Sequence, residues 1–465
     1  MIHNPFKNDK NKKQYDVIVV GSGSGMLVVE NAIAEGLRTA LVDKGPAGGT
    51  CLNLGCIPSK MLIAAADRVM EIREAERFGI DASIQHIDFP KIMADMRAAV
   101  VPDHQRIHEN LIADQRFDYY EGQATFVDEA TLMVDDRQIH GETIFLAAGA
   151  RPDIPPLKGL DTVNYLTSDS LLSLDTRPKQ LAIIGGGYIA AEYGHFFAAM
   201  GSEVIIIQQA GRLVPREEPE ISDTLLAAFK KRMTIYTNTT ARAVQKTNHG
   251  CTITAENNET GQTHTIDADT LLIAAGRISN ADLLQVEKAG IETDDRGFIK
   301  TDTQMRTNKR DIRAFGDING RQMFTHVSYE EAGIAWYNYH NKTSRAFDYR
   351  PAPRAVFSHP QIASVGLTEA EARKISDNIL VGRAQYSDVA NGMARRENEG
   401  FAKAIVEQST FRILGYHIIG PHAAIVIQEI VNIMAFGGYL KMLADTMHIH
   451  PALSELILKP FSNLS

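Results

Sequence analysis

Residues 15–43 read YDVIVVGSGSGMLVVENAIAEGLRTALVD. A short apolar run (15–20) enters a glycine-rich turn (21–26), a stretch of helical spacing (27–37) and a second apolar run (39–43). Strand, turn, helix, strand is the order of a dinucleotide-binding unit, where glycines let the backbone approach a pyrophosphate at a helix N-terminus. Gly21 and Gly23 take the first two fingerprint positions, and Asp43 stands 22 residues beyond Gly21, where an acid for a ribose hydroxyl belongs. The third position holds Met26 in place of glycine, which predicts a slightly displaced helix with the phosphate site retained.

The pattern recurs. Residues 181–209, LAIIGGGYIAAEYGHFFAAMGSEVIIIQQ, repeat strand, turn, helix and strand at an offset of 164, with Gly185, Gly187 and Ala190 in the fingerprint positions. Each copy closes on a related phrase, FLAAGARP (145–152) and LLIAAGRISN (271–280), an apolar strand running into a glycine turn at Gly149 or Gly276. One such turn is commonplace; two in register, with their flanking elements, predict two bound dinucleotides. RAFGDING (313–320) is a further strand-to-turn that ends in an acid, Asp317. From about residue 346 the pattern changes to strand-like runs followed by helical ones, which predicts a separate α+β domain.

At 465 residues the chain exceeds one ordinary core, and about 100–200 residues per domain predicts three. A net charge of -9 leaves no electrostatic footprint for nucleic acid. Residues 1–14 are polar and Lys-rich with no apolar segment. They are expected to form a disordered tail, neither secretory signal nor membrane anchor, so the expected location is the cytoplasm. Three cysteines cannot build a disulfide framework.

Two of those cysteines lie close together in GGTCLNLGCIPSK (48–60). Residues five apart on an ideal helix are about 8 Å apart, beyond the roughly 4.4–6.8 Å that a disulfide spans, so Cys51 and Cys56 can close only on a distorted segment. Gly55 and Pro58 supply backbone freedom and a missing amide donor, and the helix that follows offers its positive end to a thiolate. A closed metal site would need two further ligands, and no second cysteine pair exists, so no metal is expected. A redox pair also needs a proton carrier, and His450 in MHIHPALSE (447–455), with Glu455 five residues on, is the candidate. Taken alone, a histidine before proline is more often a surface residue. Cys251 stands apart and reads as a bystander.

The GSGSG turn, GGTCLNLGCIPSK, GGGYIAAE (185–192), AFGD (314–317) and MHIHPALSE together resemble the pyridine nucleotide–disulfide oxidoreductases, from about residue 15 to about 460. These FAD enzymes include dihydrolipoamide dehydrogenase and the glutathione, mercuric and mycothione reductases. The resemblance implies an α/β fold with two Rossmann-like domains, for FAD and for NAD or NADP, and a C-terminal α+β domain that forms a homodimer. The implied bounds are 15–152 and 277–345 for FAD, 153–276 for the nicotinamide nucleotide and 346–465 for the interface.

By the same resemblance Gly21, Gly23, Asp43, Gly149 and Asp317 hold FAD, and Gly185, Gly187, Ala190, Gln208 and Gly276 the nucleotide. Lys60 and Glu192 lie beside the flavin ring. Electrons pass from reduced nicotinamide through FAD to a Cys51–Cys56 disulfide; Cys51 attacks the substrate disulfide, Cys56 faces the flavin, and His450 with Glu455 completes the active site of the partner subunit. CIPSK and PALSE resemble dihydrolipoamide dehydrogenase, which implies a lipoyl-domain substrate. GGGYIAAE and residues 267–292 resemble the NADPH-linked reductases of small disulfides, of the mycothione or bis-γ-glutamylcystine type. Gln208 stands where NAD enzymes put an acid, with Arg212 and Arg216 in reach of a 2′-phosphate, so NAD and NADP both stay open.

Overall fold

The computed structural model describes residues 12–465. Residues 1–11 of the expected tail lie outside the described residues, and its last three residues are not tail. They open the strand Lys12–Val20, which pairs in parallel with Arg137–Leu146 from Lys12 onward, and Lys13 forms an ion pair with Asp118 at 2.8 Å. The backbone ladder extends the strand past the apolar run because hydrogen bonding does not require apolar side chains.

The chain divides into two compact units. The first comprises residues up to Pro58, Met96–Asp153 and Arg277–Phe347; the second comprises Ser59–Asp95, Ile154–Gly276 and Asp348–Ser465. Residues 59–95 thus pack with the second unit, although the bounds implied by the resemblance had grouped them with the first. The middle and C-terminal segments, expected as separate domains, share that unit.

In chain order the helices that bear on the site are α1 (Gly25–Ala34), α2 (Gly49–Asn53), α3 (Cys56–Arg73), α4 (Phe89–Ala113), α5 (Tyr188–Ala199) and α6 (Pro219–Lys230). The first unit is built on five parallel strands in the order Asp118–Glu121, Thr39–Asp43, Lys12–Val20, Arg137–Leu146, Ile312–Ala314. Two antiparallel strands, Thr131–Val134 and Ala124–Asp128, extend it from Arg137–Leu146. The second unit has its own parallel sheet, ordered Thr234–Tyr236, Glu203–Ile207, Gln180–Ile184, Thr270–Ile273, Tyr165–Leu166. It also has a three-stranded antiparallel meander (residues 239–268) and a five-stranded antiparallel sheet in its C-terminal part.

The two glycine turns are built alike. Gly21 has φ +108° and Gly185 φ +114°, and a Cβ on either would run into a backbone carbonyl oxygen, that of Ala147 or of Ala274. Each glycine therefore lets a strand end pass directly over the next parallel strand before the helix begins. The expected effect of Met26 takes a different form: Gly25, buried one residue earlier, faces the strand, where a Cβ would come within 2.9 Å of Val19 Cγ1. Met26 is only half-buried, so close helix–strand contact survives without a glycine at that position.

Gly185→Ala should cost about 1–3 kcal/mol, from positive φ and from overlap with a fixed carbonyl, and should lower the urea midpoint of unfolding. An unchanged midpoint would show that the turn can open freely.

Candidate functional site

The first unit gathers the thiols. α2 carries Cys51 and stops at Leu54, whose φ of -135° breaks the helix, and α3 starts again at Cys56. Gly55 in the gap has no positive φ; its use is space, since a Cβ would lie 3.1 Å from the Thr50 carbonyl oxygen. Pro58 is the third residue of α3, where its missing N–H leaves no helical bond unmade. The break is the distortion that the spacing required. Both cysteines are unbridged thiols, hydrogen-bonded to each other, with Cys51 half-buried and Cys56 exposed at the helix start. The hydrogen bond to Cys56 and then burial hold the Cys51 pKa well above the usual thiol value, while Thr325 pulls it down. Thr325 Oγ1 also lies 3.6 Å from Cys56 Sγ.

Around the first glycine turn, Asp43 accepts from the amides of Ser22 (2.5 Å) and Gly45 (2.7 Å), so its carboxylate ties the strand end to the turn. Gly49 packs against Gly23, with no room for a Cβ between them. Gly149 has φ +69° and open space where a Cβ would be. Asp317 is a quarter exposed yet walled in by protein on its other sides, which pushes its carboxyl pKa up against the pull of Arg277, 3.8 Å away. Among the described residues Asp317 accepts no side-chain hydrogen bond, and the buried Nε of Arg277 has no partner. An orphaned cationic donor beside a partly exposed acid, next to a glycine turn at a helix N-terminus, fits the polar half of a dinucleotide such as FAD.

Glu331, fully buried on the helix Thr325–Asn341, accepts from the Gly316 amide (2.6 Å) and Asn319 Nδ2 (3.1 Å) and so fixes the AFGD turn. Neither Glu331 nor Arg277 was singled out from the sequence. Glu331, in SYEEAG, has no motif to mark it; Arg277 follows the glycine of a repeated phrase and could have been noticed there.

In the second unit the turn at Gly185 leads into α5. Gly187 has nothing within 4 Å of a built Cβ and no side chain caps the helix, so the helix start has open space beside it, as a second dinucleotide needs. Ala190 is fully buried, and Gly276 has φ +150°. Gln208 is buried; it lies over Gly186, where a Cβ would come within 2.8 Å, and its Nε2 donates to the Arg212 carbonyl at 3.1 Å. The Arg212 side chain pairs with Asp223 at 3.1 Å, and Arg216 is exposed.

Lys60 Nζ donates to both oxygens of Glu192 at 2.8 and 2.9 Å, and Phe357 N–H donates to Glu192 Oε1 at 3.0 Å. His450 Nδ1 meets Glu455 Oε1 at 2.9 Å, and Ala452 N–H holds the other oxygen at 2.9 Å. His450 and the Ala452 amide hold the Glu455 pKa below its ordinary 4.5, so the pair is complete above the carboxylate range and is lost only as pH falls through that lowered value. The His450 side chain is 71% exposed, and the exposed apolar residues Met447 and Ile449 immediately precede it in the chain. Cys251 is buried in the core of the meander and takes no part.

Comparison with known proteins accounts for nearly the whole chain. Residues 15–332 match the family described as pyridine nucleotide-disulphide oxidoreductase, and residues 352–460 match its dimerisation domain, which supports a homodimer. Mycothione reductase of Mycobacterium tuberculosis is 33% identical over 461 residues, covering 95% of this chain and 98% of that protein. Dihydrolipoyl dehydrogenase of Bacillus subtilis is 34% identical over 452 residues, covering 96% and 95%. Among solved structures, the HOCl-induced flavoprotein disulfide reductase RclA from Escherichia coli superposes with a TM-score of 0.84 at 29% identity, covering 96% of this chain and 99% of that one. Among the described residues no helix is long and apolar enough to cross a membrane.

Because the Thr325 hydroxyl favours the Cys51 thiolate, Thr325→Val should raise the Cys51 pKa further. Alkylation of Cys51 by iodoacetamide in the reduced protein, followed by peptide mass spectrometry, should slow by roughly tenfold per pKa unit. Unchanged kinetics would remove Thr325 from the thiol environment.

Proposed function

The chain belongs to the pyridine nucleotide–disulfide oxidoreductases, FAD-dependent and NAD(P)-using, and on that premise we propose that Cys51 and Cys56 relay electrons between a nicotinamide nucleotide and a substrate dithiol or disulfide. The observation that carries the reading is the thiol pair itself: two sulfurs in hydrogen-bond contact across a helix break, one half-buried and one exposed. FAD, when bound, supplies the two-electron carrier between the nucleotide and this pair.

The residues divide the remaining work. Gly21, Gly23, Asp43, Gly149 and Asp317, with Arg277 Nε as a free donor, hold FAD. Gly185, Gly187, Ala190, Gln208 and Gly276 hold the nucleotide, and Lys60 with Glu192 flanks the flavin ring. In the reducing direction the Cys51 thiolate attacks one sulfur of the substrate disulfide and expels the other as a thiolate; Cys56 then displaces the bound half and closes the Cys51–Cys56 disulfide. Each departing thiolate needs a proton. Glu455 occupies His450 Nδ1 and leaves Nε2 to carry it, and in the homodimer the partner's His450 serves this site. The division into an FAD domain (15–152, 277–345), a nucleotide domain (153–276) and an interface domain (346–465), and a cytoplasmic location, belong to the same proposal.

For the substrate, the CIPSK and PALSE phrases favour NAD-linked oxidation of dihydrolipoamide, free or on a lipoyl domain. A second reading, NADPH-linked reduction of a small disulfide of the mycothione or bis-γ-glutamylcystine type, is favoured by Gln208. Its inward turn leaves no acid to repel a 2′-phosphate, and Arg216 is exposed nearby.

Steady-state turnover with NAD(H) and NADP(H), against dihydrolipoamide and a panel of thiol-cofactor disulfides, tests both. Fast NAD-linked dihydrolipoamide oxidation is expected; slow lipoamide turnover with fast NADPH-dependent reduction of one small disulfide would establish the second reading instead. Cys51→Ser and Cys56→Ser should each abolish turnover, and full activity in either would overturn both readings.

A further inference from the structure

α3 and α5 are joined by a ladder of charges. Lys60, Asp67 and Glu74 are seven residues apart, close to two helical turns, so they share one face of α3 or its immediate continuation. Lys60 pairs with Glu192, Asp67 Oδ1 faces His195 Nε2 at 3.0 Å, and Glu74 Oε1 faces His359 Nε2 at 2.6 Å. Glu192 and His195 are three residues apart on α5. Arg73 closes the far end by donating to the carbonyls of Ala198 and Ala199.

His195 is the member with no exposed surface. Its Nδ1 lies 2.8 Å from Arg232 Nη1, and a guanidinium can only donate, so Nδ1 must accept. Nε2 then carries the ring's proton and donates it to Asp67. The imidazole is neutral, in keeping with a pKa that burial drives down to about 4, against Asp67 and with help from Arg232 and His359. The other arm of Arg232, Nη2, donates to the His359 carbonyl at 2.7 Å. Two residues back, Phe357 gives its N–H to Glu192, and its ring lies 4.7 Å from the Lys60 ammonium.

A carboxylate and a guanidinium that are both half-buried and in reach of one another ordinarily collapse into a bidentate pair. The neutral ring between Asp67 and Arg232 prevents this and leaves Arg232 aimed at the 357–359 segment. We propose that His195 is a positioning residue for the Lys60–Glu192 pair, acting through Arg232 and the backbone of residues 357–359. The inference rests on the proposed placement of that pair beside the flavin ring. Without His195, Arg232 turns to Asp67, the His359 carbonyl is released, and the Phe357 amide loosens its hold on Glu192.

The test uses the FAD-loaded dimer. In His195→Ala, hydrogen exchange at the Phe357 amide should quicken about tenfold, and anaerobic flavin reduction by the nicotinamide nucleotide should slow about tenfold, with nucleotide affinity unchanged. His195→Gln keeps one donor and one acceptor at the same ends and should return both to within about twofold of the parent. Parent-like exchange at Phe357 in His195→Ala would overturn the proposal. Should that variant not fold, Arg232→Lys keeps the charge but cannot span the ring and the carbonyl; it should reproduce both effects, and parent-like exchange in it would overturn the proposal equally. Glu192→Gln separates the two readings. If it reduces flavin at the parent rate, the placement of the pair by the flavin fails, while exchange at Phe357 still decides what His195 holds.

Discussion

Two glycines lying against two carbonyl oxygens organise this protein. Gly21 over Ala147 and Gly185 over Ala274 are the points where a parallel strand ends, crosses its neighbour and enters a helix. A side chain at either point would push the helix start away from the sheet, and a helix start is the positive end that a phosphate group can bind. Asp43 and the AFGD turn are arranged around the first such point; the buried Gln208 is arranged around the second.

Much of this was legible in the sequence because it is local. Strand, glycine turn and helix succeed one another within 29 residues in each copy, so periodicity and turn chemistry suffice to find them. The cysteine motif is legible for the same reason: its spacing alone requires a broken helix, and the break falls at Leu54 and Gly55. His450 and Glu455, five residues apart, are hydrogen-bonded to each other; the resemblance paired them, since spacing alone does not. Met26 shows the limit of a positional template. The contact that the third glycine would make is made by its predecessor, because what matters is which residue of the first helical turn faces the strand.

The rest is non-local. Glu331 reaches back 15 residues to Gly316, Arg232 reaches 127 residues to His359, and Thr325 stands 269 residues from Cys56. None of these lies in a motif with a period, and each is an ordinary polar residue until the fold assigns it a partner. For Glu331, fully buried, the partner is an obligation, since an unpaired charge in the interior costs far more than the same charge at the surface. Residues 59–95 were likewise grouped with the first unit by the bounds that the resemblance implied, but Lys60, Asp67, Arg73 and Glu74 find their partners in the second.

The strands Ala150–Pro152 and Arg277–Ser279 pair antiparallel, so for the segment between them the chain leaves the first unit and returns to it through a short two-stranded doorway. This sets an order of assembly during synthesis. The middle segment's parallel sheet, with strands from Tyr165 to Ile273, is complete in sequence once residue 273 has been made. The first unit must wait longer: its fifth parallel strand ends at Ala314, and Glu331, which pins the turn bearing Asp317, comes later still. On the ribosome the strands of the inserted parallel sheet can therefore all be made while the sheet that encloses it in sequence is still open.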